Sequence, residues 1–149
     1  FSGLFSPHWD ETARGSLFGL TRFSNKSHMA RAVLESVAFQ TYELLESMEK
    51  DLDTEFESLK VDGGMVANNL LMQFQSDLLN KSIHSQEINE ITALGVGVAS
   101  YLYVMDLPLS SMGNYITSSI TWNPNMSNET RINLLESWYK AIEKSKNWL

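Results

Sequence analysis

An α/β fold is what the sequence predicts, on three observations. Short apolar runs bounded by turn residues alternate with longer segments whose apolar residues recur every three or four positions. Paired glycines, Gly63-Gly64, stand where one such run gives way to a helical segment. The chain has 149 residues, 43% of them hydrophobic, which suffices for a single core.

Taken in order, residues 1–14 read as a loop, because Ser6-Pro7 favours extended or turn geometry and Gly3, Asp10 and Thr12 are turn formers. Ser16–Leu20 is short, apolar and flanked by glycine, and reads as a strand. Asn25 is the expected N-cap of a first long helix. Met29, Val33, Val37, Leu44, Leu45 and Met48 form its expected buried stripe, and a turn at 50–54 ends it. Phe56–Val61 has strand length and stops at Asp62-Gly63-Gly64. A helix follows from Val66 to about Leu79, with Leu70, Leu71, Phe74 and Leu78 on one face, then a short strand over Ile83–Glu87. A third helix over 92–105 is dense in Ala93, Gly95, Gly97, Ala99 and Ser100, small residues that allow close helix approach, so it is expected to be buried. Residues 110–124 read as irregular. A last helix runs from Ser127, with Ile132, Leu135, Trp138, Ile142 and Leu149 on one side. With no internal repeat or linker, residues 1–149 count as one domain.

Composition removes several function classes. Without cysteine there is no disulfide framework, zinc-thiolate site or cysteine nucleophile, which fits a reducing compartment. A net charge of -7 with no basic cluster gives no basis for binding nucleic acid or an anionic membrane surface. No apolar run reaches the roughly 18 residues that would span a bilayer. The triplets at Asn25, Asn80, Asn125 and Asn128 match a glycosylation pattern, but no signal peptide accompanies them. His8, His28 and His84 lack metal-ligand spacing, and His28 falls where a capping role suffices. The Trp and Met residues sit on apolar stripes and read as core.

The informative segment is Val61–Asn69. A strand that ends in paired glycines and turns into a helix can bring backbone close to a ligand, with free amides at the helix start. In open α/β sheets such turns at strand carboxyl ends are where ligands bind. Asn68, one turn beyond Gly64, would add a side-chain amide able to donate and accept. The same spacing also suits a tight strand-to-helix connection with no ligand. Asp62 could tune a ligand or a bound cation, although such a residue more often caps the following helix. Gly95-Val96-Gly97 lacks the third glycine and the strand-to-helix context of a dinucleotide fingerprint, so close helix packing is its expected role. No GxxxxGK[ST] phosphate loop occurs.

Gly15–Leu20, followed after seven residues by His28–Glu35, resembles the second signature of the FGGY carbohydrate kinases. Phe1–Leu4, Pro7–Asp10 and Ala13–Gly15, with the long run Val61–Asp77 and then Thr92–Gly95, are similar to the glycerol-phosphorylating branch of that family. The resemblance implies an actin-like, ribonuclease-H-like domain: the C-terminal, nucleotide-side half of a two-domain enzyme, lacking its opening strand. It implies ATP with Mg2+ as cofactor, glycerol as substrate, the N-terminal domain of the same protein as partner, a cytoplasmic homo-oligomer, and no nucleic acid or membrane insertion. Gly64 and Asn68 are implied nucleotide contacts, with Gly63 shaping the turn. No catalytic residue and no metal ligand is implied within this chain, whose start at Phe1 without an initiator methionine fits a piece that is inactive alone. Met65 stands where the family more often has a small residue. The alternatives are an FGGY kinase for another polyol or sugar, and a non-catalytic nucleotide-binding fragment.

Overall fold

The computed structural model describes residues 2–86, 90–115 and 119–148. Its elements in order are β1 (Ser2–Leu4), β2 (Asp10–Arg14), α1 (Lys26–Leu52), β3 (Ser58–Lys60), α2 (Asn69–Leu79), β4 (Ser82–Gln86), α3 (Ile91–Val104), β5 (Ser119–Trp122) and α4 (Asn128–Ser145).

The segment expected as a loop is an antiparallel hairpin, β1 with β2, in which Ser2 faces Arg14 and Leu4 faces Asp10 across an irregular register. Strands this short carry too few residues to show a period of two, so only their turn formers were visible. Gly3 has φ +96°, and a Cβ there would stand 2.8 Å from the Asp10 carbonyl oxygen, so the close strand approach needs glycine. Asp10 Oδ1 accepts from the Thr12 amide at 2.8 Å and the Thr12 hydroxyl at 2.7 Å. Asp10 Oδ2 accepts from the Asn147 amide at 3.0 Å, which joins the hairpin to the far end of the chain. These bonds, the Thr12 hydroxyl foremost, hold the Asp10 carboxyl down at about 2. His8 Nε2 lies 2.7 Å from Oε1 of the buried Glu43, a second tether, to α1. The strand expected at Ser16–Leu20 is absent: those residues form no ladder, and Leu17, Phe18 and Leu20 are exposed. Among the described residues no strand lies beside them to complete one.

Helix α1 begins at the expected cap. Asn25 Oδ1 accepts from the amides of Ser27 and His28, and His28 Nδ1 accepts in return from the Asn25 amide. Its buried face differs from the expected stripe: Ala38, Phe39, Glu43 and Leu45 are buried, while Met29, Val33, Leu44 and Met48 are exposed. Apolar residues occur on more than one side of this helix, and the aromatic partners decide which side is covered. Phe39 meets Phe74 of α2 edge-on at 5.7 Å and stacks on Trp138 of α4 at 4.8 Å.

The second sheet has the order β3-β4-β5. β3 and β4 are parallel, with Leu59 opposite Ile83, and α2 is their crossover; β4 and β5 are antiparallel, with Ile83 opposite Trp122. Strand β5 lies in the stretch expected to be irregular, where four residues between turns gave no periodic signal. The expected end of β4 at Glu87 and the expected core residue Leu149 lie outside the described residues. Ser76 is fully buried, its hydroxyl 2.8 Å from the Lys81 carbonyl oxygen and 3.0 Å from that of Trp122, and so binds α2 to both strands. The core comprises Ala38, Phe39, Leu45, Leu71, Met72, Phe74, Leu78, Leu79, Ile83, Trp122 and Leu135.

Helix α3 corrects a further expectation. Only Val98 and Leu102 are buried, and a Cβ on Gly95 or Gly97 would meet no atom of another element within 4 Å. Close packing at these glycines therefore has no partner among the described residues. The Trp and Met residues also divide: Met72 and Trp122 are core, whereas Trp9, Trp148, Met29, Met48, Met65 and Met105 are exposed. In α4, Ser127 caps through the Thr130 amide, and Leu135 and Ile142 are buried, but Ile132 is exposed. No helix among the described residues is long and apolar enough to cross a membrane.

Candidate functional site

The expected ligand turn lies at the carboxyl end of β3. The Val61 amide donates to the His84 carbonyl at 2.9 Å, extending the parallel ladder by one step before the chain leaves the sheet. Gly63 then takes φ +101° and ψ 173°, a conformation open in practice only to glycine. Residues Gly64–Ala67 form a 3₁₀ turn, closed by Val66 N donating to Gly63 O and Asn68 N donating to Met65 O. The α-helix therefore starts at Asn69, later than the expected Val66.

That delay changes the part Asn68 plays. It is the N-cap of α2, its Oδ1 accepting from the Leu71 amide at 3.1 Å. Its acceptor is thus spent within the chain, while its Nδ2 is bound to nothing among the described residues and remains a donor. An asparagine two positions before Leu70-Leu71 is an ordinary N-cap signal, and the expectation of a helix beginning at Val66 masked it. Asp62 does not cap the helix: its Oδ1 accepts from the Gly63 amide at 2.7 Å, and the side chain is exposed.

The turn is open on its outer side. A Cβ built on Gly63 or on Gly64 would meet no heavy atom within 4 Å beyond its chain neighbours, and both glycines are exposed. The amides of Gly64, Met65, Asn69 and Leu70 make no hydrogen bond among the described residues. Free donors thus stand at the start of the 3₁₀ turn and at the start of α2, with the helix dipole behind the second group. Such an arrangement suits an anionic or polar-edged ligand. Gly63, Gly64 and Asn68 are brought together here on one strand-to-helix connection.

A groove of about 360 Å³ lies farther along α2, lined by Leu70, Gln73, Phe74 and Asp77 together with Arg31 and Glu35 of α1. Its polar groups are mostly engaged. Arg31 Nε donates to Glu35 at 2.5 Å, and Asp77 Oδ1 accepts from Gln73 Nε2 at 3.0 Å and the Asn125 amide at 2.6 Å. Gly63, Gly64 and Asn68 do not line it. With these groups engaged by one another, the groove leaves few polar atoms free for a ligand, whereas the turn leaves several amides free. Among the described residues no group of three His, Asp or Glu side chains could hold a metal ion.

Residues 1–101 match the model of the FGGY family of carbohydrate kinases, C-terminal domain. The chain is 48% identical to a glycerol kinase of Nocardia farcinica, over 99% of its own length and 31% of the relative's. Among solved structures it resembles a Plasmodium falciparum glycerol kinase with ADP, at 34% identity and a TM-score of 0.88, over 100% of this chain and 30% of that one. It also resembles a ligand-bound xylulose kinase from Lactobacillus acidophilus, at 25% identity and a TM-score of 0.71, over 94% and 29%. The chain thus spans about 30% of the length of the curated relatives it matches. The order of helices and strands is the α/β, actin-like arrangement of these neighbours. The chain belongs to the FGGY family of carbohydrate kinases, and its matched segment is that family's C-terminal domain.

Proposed function

We propose that a complete polypeptide containing this chain transfers the γ-phosphoryl group of ATP to glycerol, giving sn-glycerol 3-phosphate and ADP. In that reading residues 1–149 act as a C-terminal, nucleotide-side domain against an N-terminal partner domain. The carrying observation is the open glycine turn, in a chain whose whole length resembles a glycerol kinase that was solved with ADP. Gly63 sets the backbone, the amides from Gly64 onward face the nucleotide, and Asn68 Nδ2 supplies a side-chain donor to it.

The turn fits a nucleotide because it offers donors and room where side chains would otherwise stand. Phosphoryl transfer draws on several charged groups and a divalent cation acting together. Mg2+ would arrive with the phosphates, and the catalytic base would come from outside this chain. A cytoplasmic homo-oligomer belongs to the same reading, which the lack of cysteine and, among the described residues, of a membrane-crossing helix accommodates.

The test is ADP formation by the complete polypeptide with MgATP and, in turn, glycerol, xylulose and gluconate. Turnover selective for glycerol is expected; equal preference for a pentulose would replace the substrate and keep the family. Asn68→Ser, which keeps an oxygen for the α2 cap but lacks the amide donor, should raise the ATP requirement about tenfold with the fold intact, the size of one lost hydrogen bond to a charged or polar edge. An unchanged ATP requirement would remove Asn68 from the site.

A further inference from the structure

Met65 follows the paired glycines and is half exposed, unlike the core methionine Met72. Its backbone is fixed, since its carbonyl accepts from the Asn68 amide at 3.0 Å within the 3₁₀ turn. The next residue, Val66, packs against the core. A flexible thioether therefore stands on an anchored base at the rim of the open turn. Directly beside it, the positions where side chains of Gly63 and Gly64 would begin have no atom within 4 Å from any residue beyond their own chain neighbours.

An unbranched, polarisable side chain in that place adapts to a flat ring and packs against its edge or face. We propose that Met65 is a further nucleotide-contacting residue, an adaptable apolar plate for the base or ribose, and that its oxidation by a peroxide weakens nucleotide binding. The proposal rests on the reading of the Gly63–Asn68 turn as the nucleotide site. In the step itself a sulfur lone pair attacks one peroxide oxygen and the O–O bond breaks. The sulfur, oxidised by two electrons, keeps that oxygen as a sulfoxide, and the other leaves as water once protonated. The product is polar and chiral where the thioether was apolar. It no longer matches an aromatic ring, and the free sulfoxide gains hydration that a bound nucleotide would remove.

The experiment treats the complete polypeptide with hydrogen peroxide, with and without saturating MgADP, and follows each methionine by peptide mass. Met65 oxidation should slow at least about fivefold with the nucleotide, whereas Met29, Met48 and Met105 should each change less than about twofold. In parallel, peroxide-treated protein should need about two- to tenfold more ATP for half-maximal rate. Met65→Leu, which cannot form a sulfoxide, should show no such ratio between its own treated and untreated samples. Equal oxidation of Met65 with and without nucleotide overturns the proposal, as does a treated-to-untreated ratio that persists in Met65→Leu. If Asn68→Ser still raises the ATP requirement when Met65 is unprotected, the contact fails and the nucleotide turn stands. If neither responds, both fail together.

Discussion

Helices α2 and α3 make an instructive pair. Helix α2 has 11 residues and buries seven, Leu71, Met72, Phe74, Gln75, Ser76, Leu78 and Leu79, two of them polar. Helix α3 has 14 residues, nearly all apolar or small, and buries Val98 and Leu102. The more hydrophobic helix is the less buried one. What separates them is what lies alongside: α2 sits between α1 and the sheet, with Ser76 holding the carbonyls of Lys81 and Trp122. Helix α3 packs chiefly on the 3₁₀ segment Leu109–Tyr115, where Tyr101 meets Tyr115 at 5.7 Å over a groove of about 490 Å³. Hydrophobic composition states how much a helix could bury; partners determine how much it does.

The largest effect that would sharpen this contrast is on stability. Leu78→Ala, at a fully buried position, should cost about 2–5 kcal/mol in urea unfolding of the 149-residue chain. Val96→Ala, at a position 64% exposed on α3, should cost less than about 0.5 kcal/mol. Comparable losses at the two positions would break the contrast and show that α3 is covered.

A smaller effect belongs to the entrance of α2. Gly63→Ala has room for its methyl group but not the backbone conformation, and should cost roughly 1–3 kcal/mol. Gly64→Ala, without a positive φ, should cost less in stability and more in nucleotide affinity. Equal stability losses at the two glycines, measured by urea midpoints, would mean that the turn is not strained at Gly63.

What the sequence made legible follows the same division. Asn25 announced its helix because a cap is a local chemical signal three residues long. The paired glycines announced the turn, because Gly63 carries its own conformational requirement. The α1 face was misread because it depends on partners distant in sequence, and the β1–β2 hairpin and β5 because strands of 3 to 5 residues show no period. Phe39 is buried by Phe74 and Trp138, and Met29 and Val33, equally apolar, have no such cover. In the site, Gly63 and Gly64 could be read directly, whereas the cap made by Asn68 depended on where the helix begins, a boundary moved three residues by the 3₁₀ turn.

The smallest expected effect concerns the hairpin, held by polar tethers where α2 is held by packing. The Asp10 carboxyl lies at about 2 against an ordinary 3.8, so its contribution is present above about pH 4 and is lost as pH falls through 2. The urea midpoint should therefore fall between pH 5 and pH 2 by more in the parent chain than in Asp10→Asn. An identical fall in both would assign the acid sensitivity elsewhere.

The Asp10–Asn147 hydrogen bond has a kinetic side as well. Its partners lie 137 positions apart, and a contact of that span forms only after the intervening chain is ordered, since loop closure must be met before the contact gives anything back. The α1–α2 pairing and the β3–α2–β4 crossover are local by comparison, and they can assemble first. The hairpin would then be the last part to dock during folding and the first to open in the native state, a breathing motion that reaches His8 and leaves the Gly63–Asn68 turn at rest.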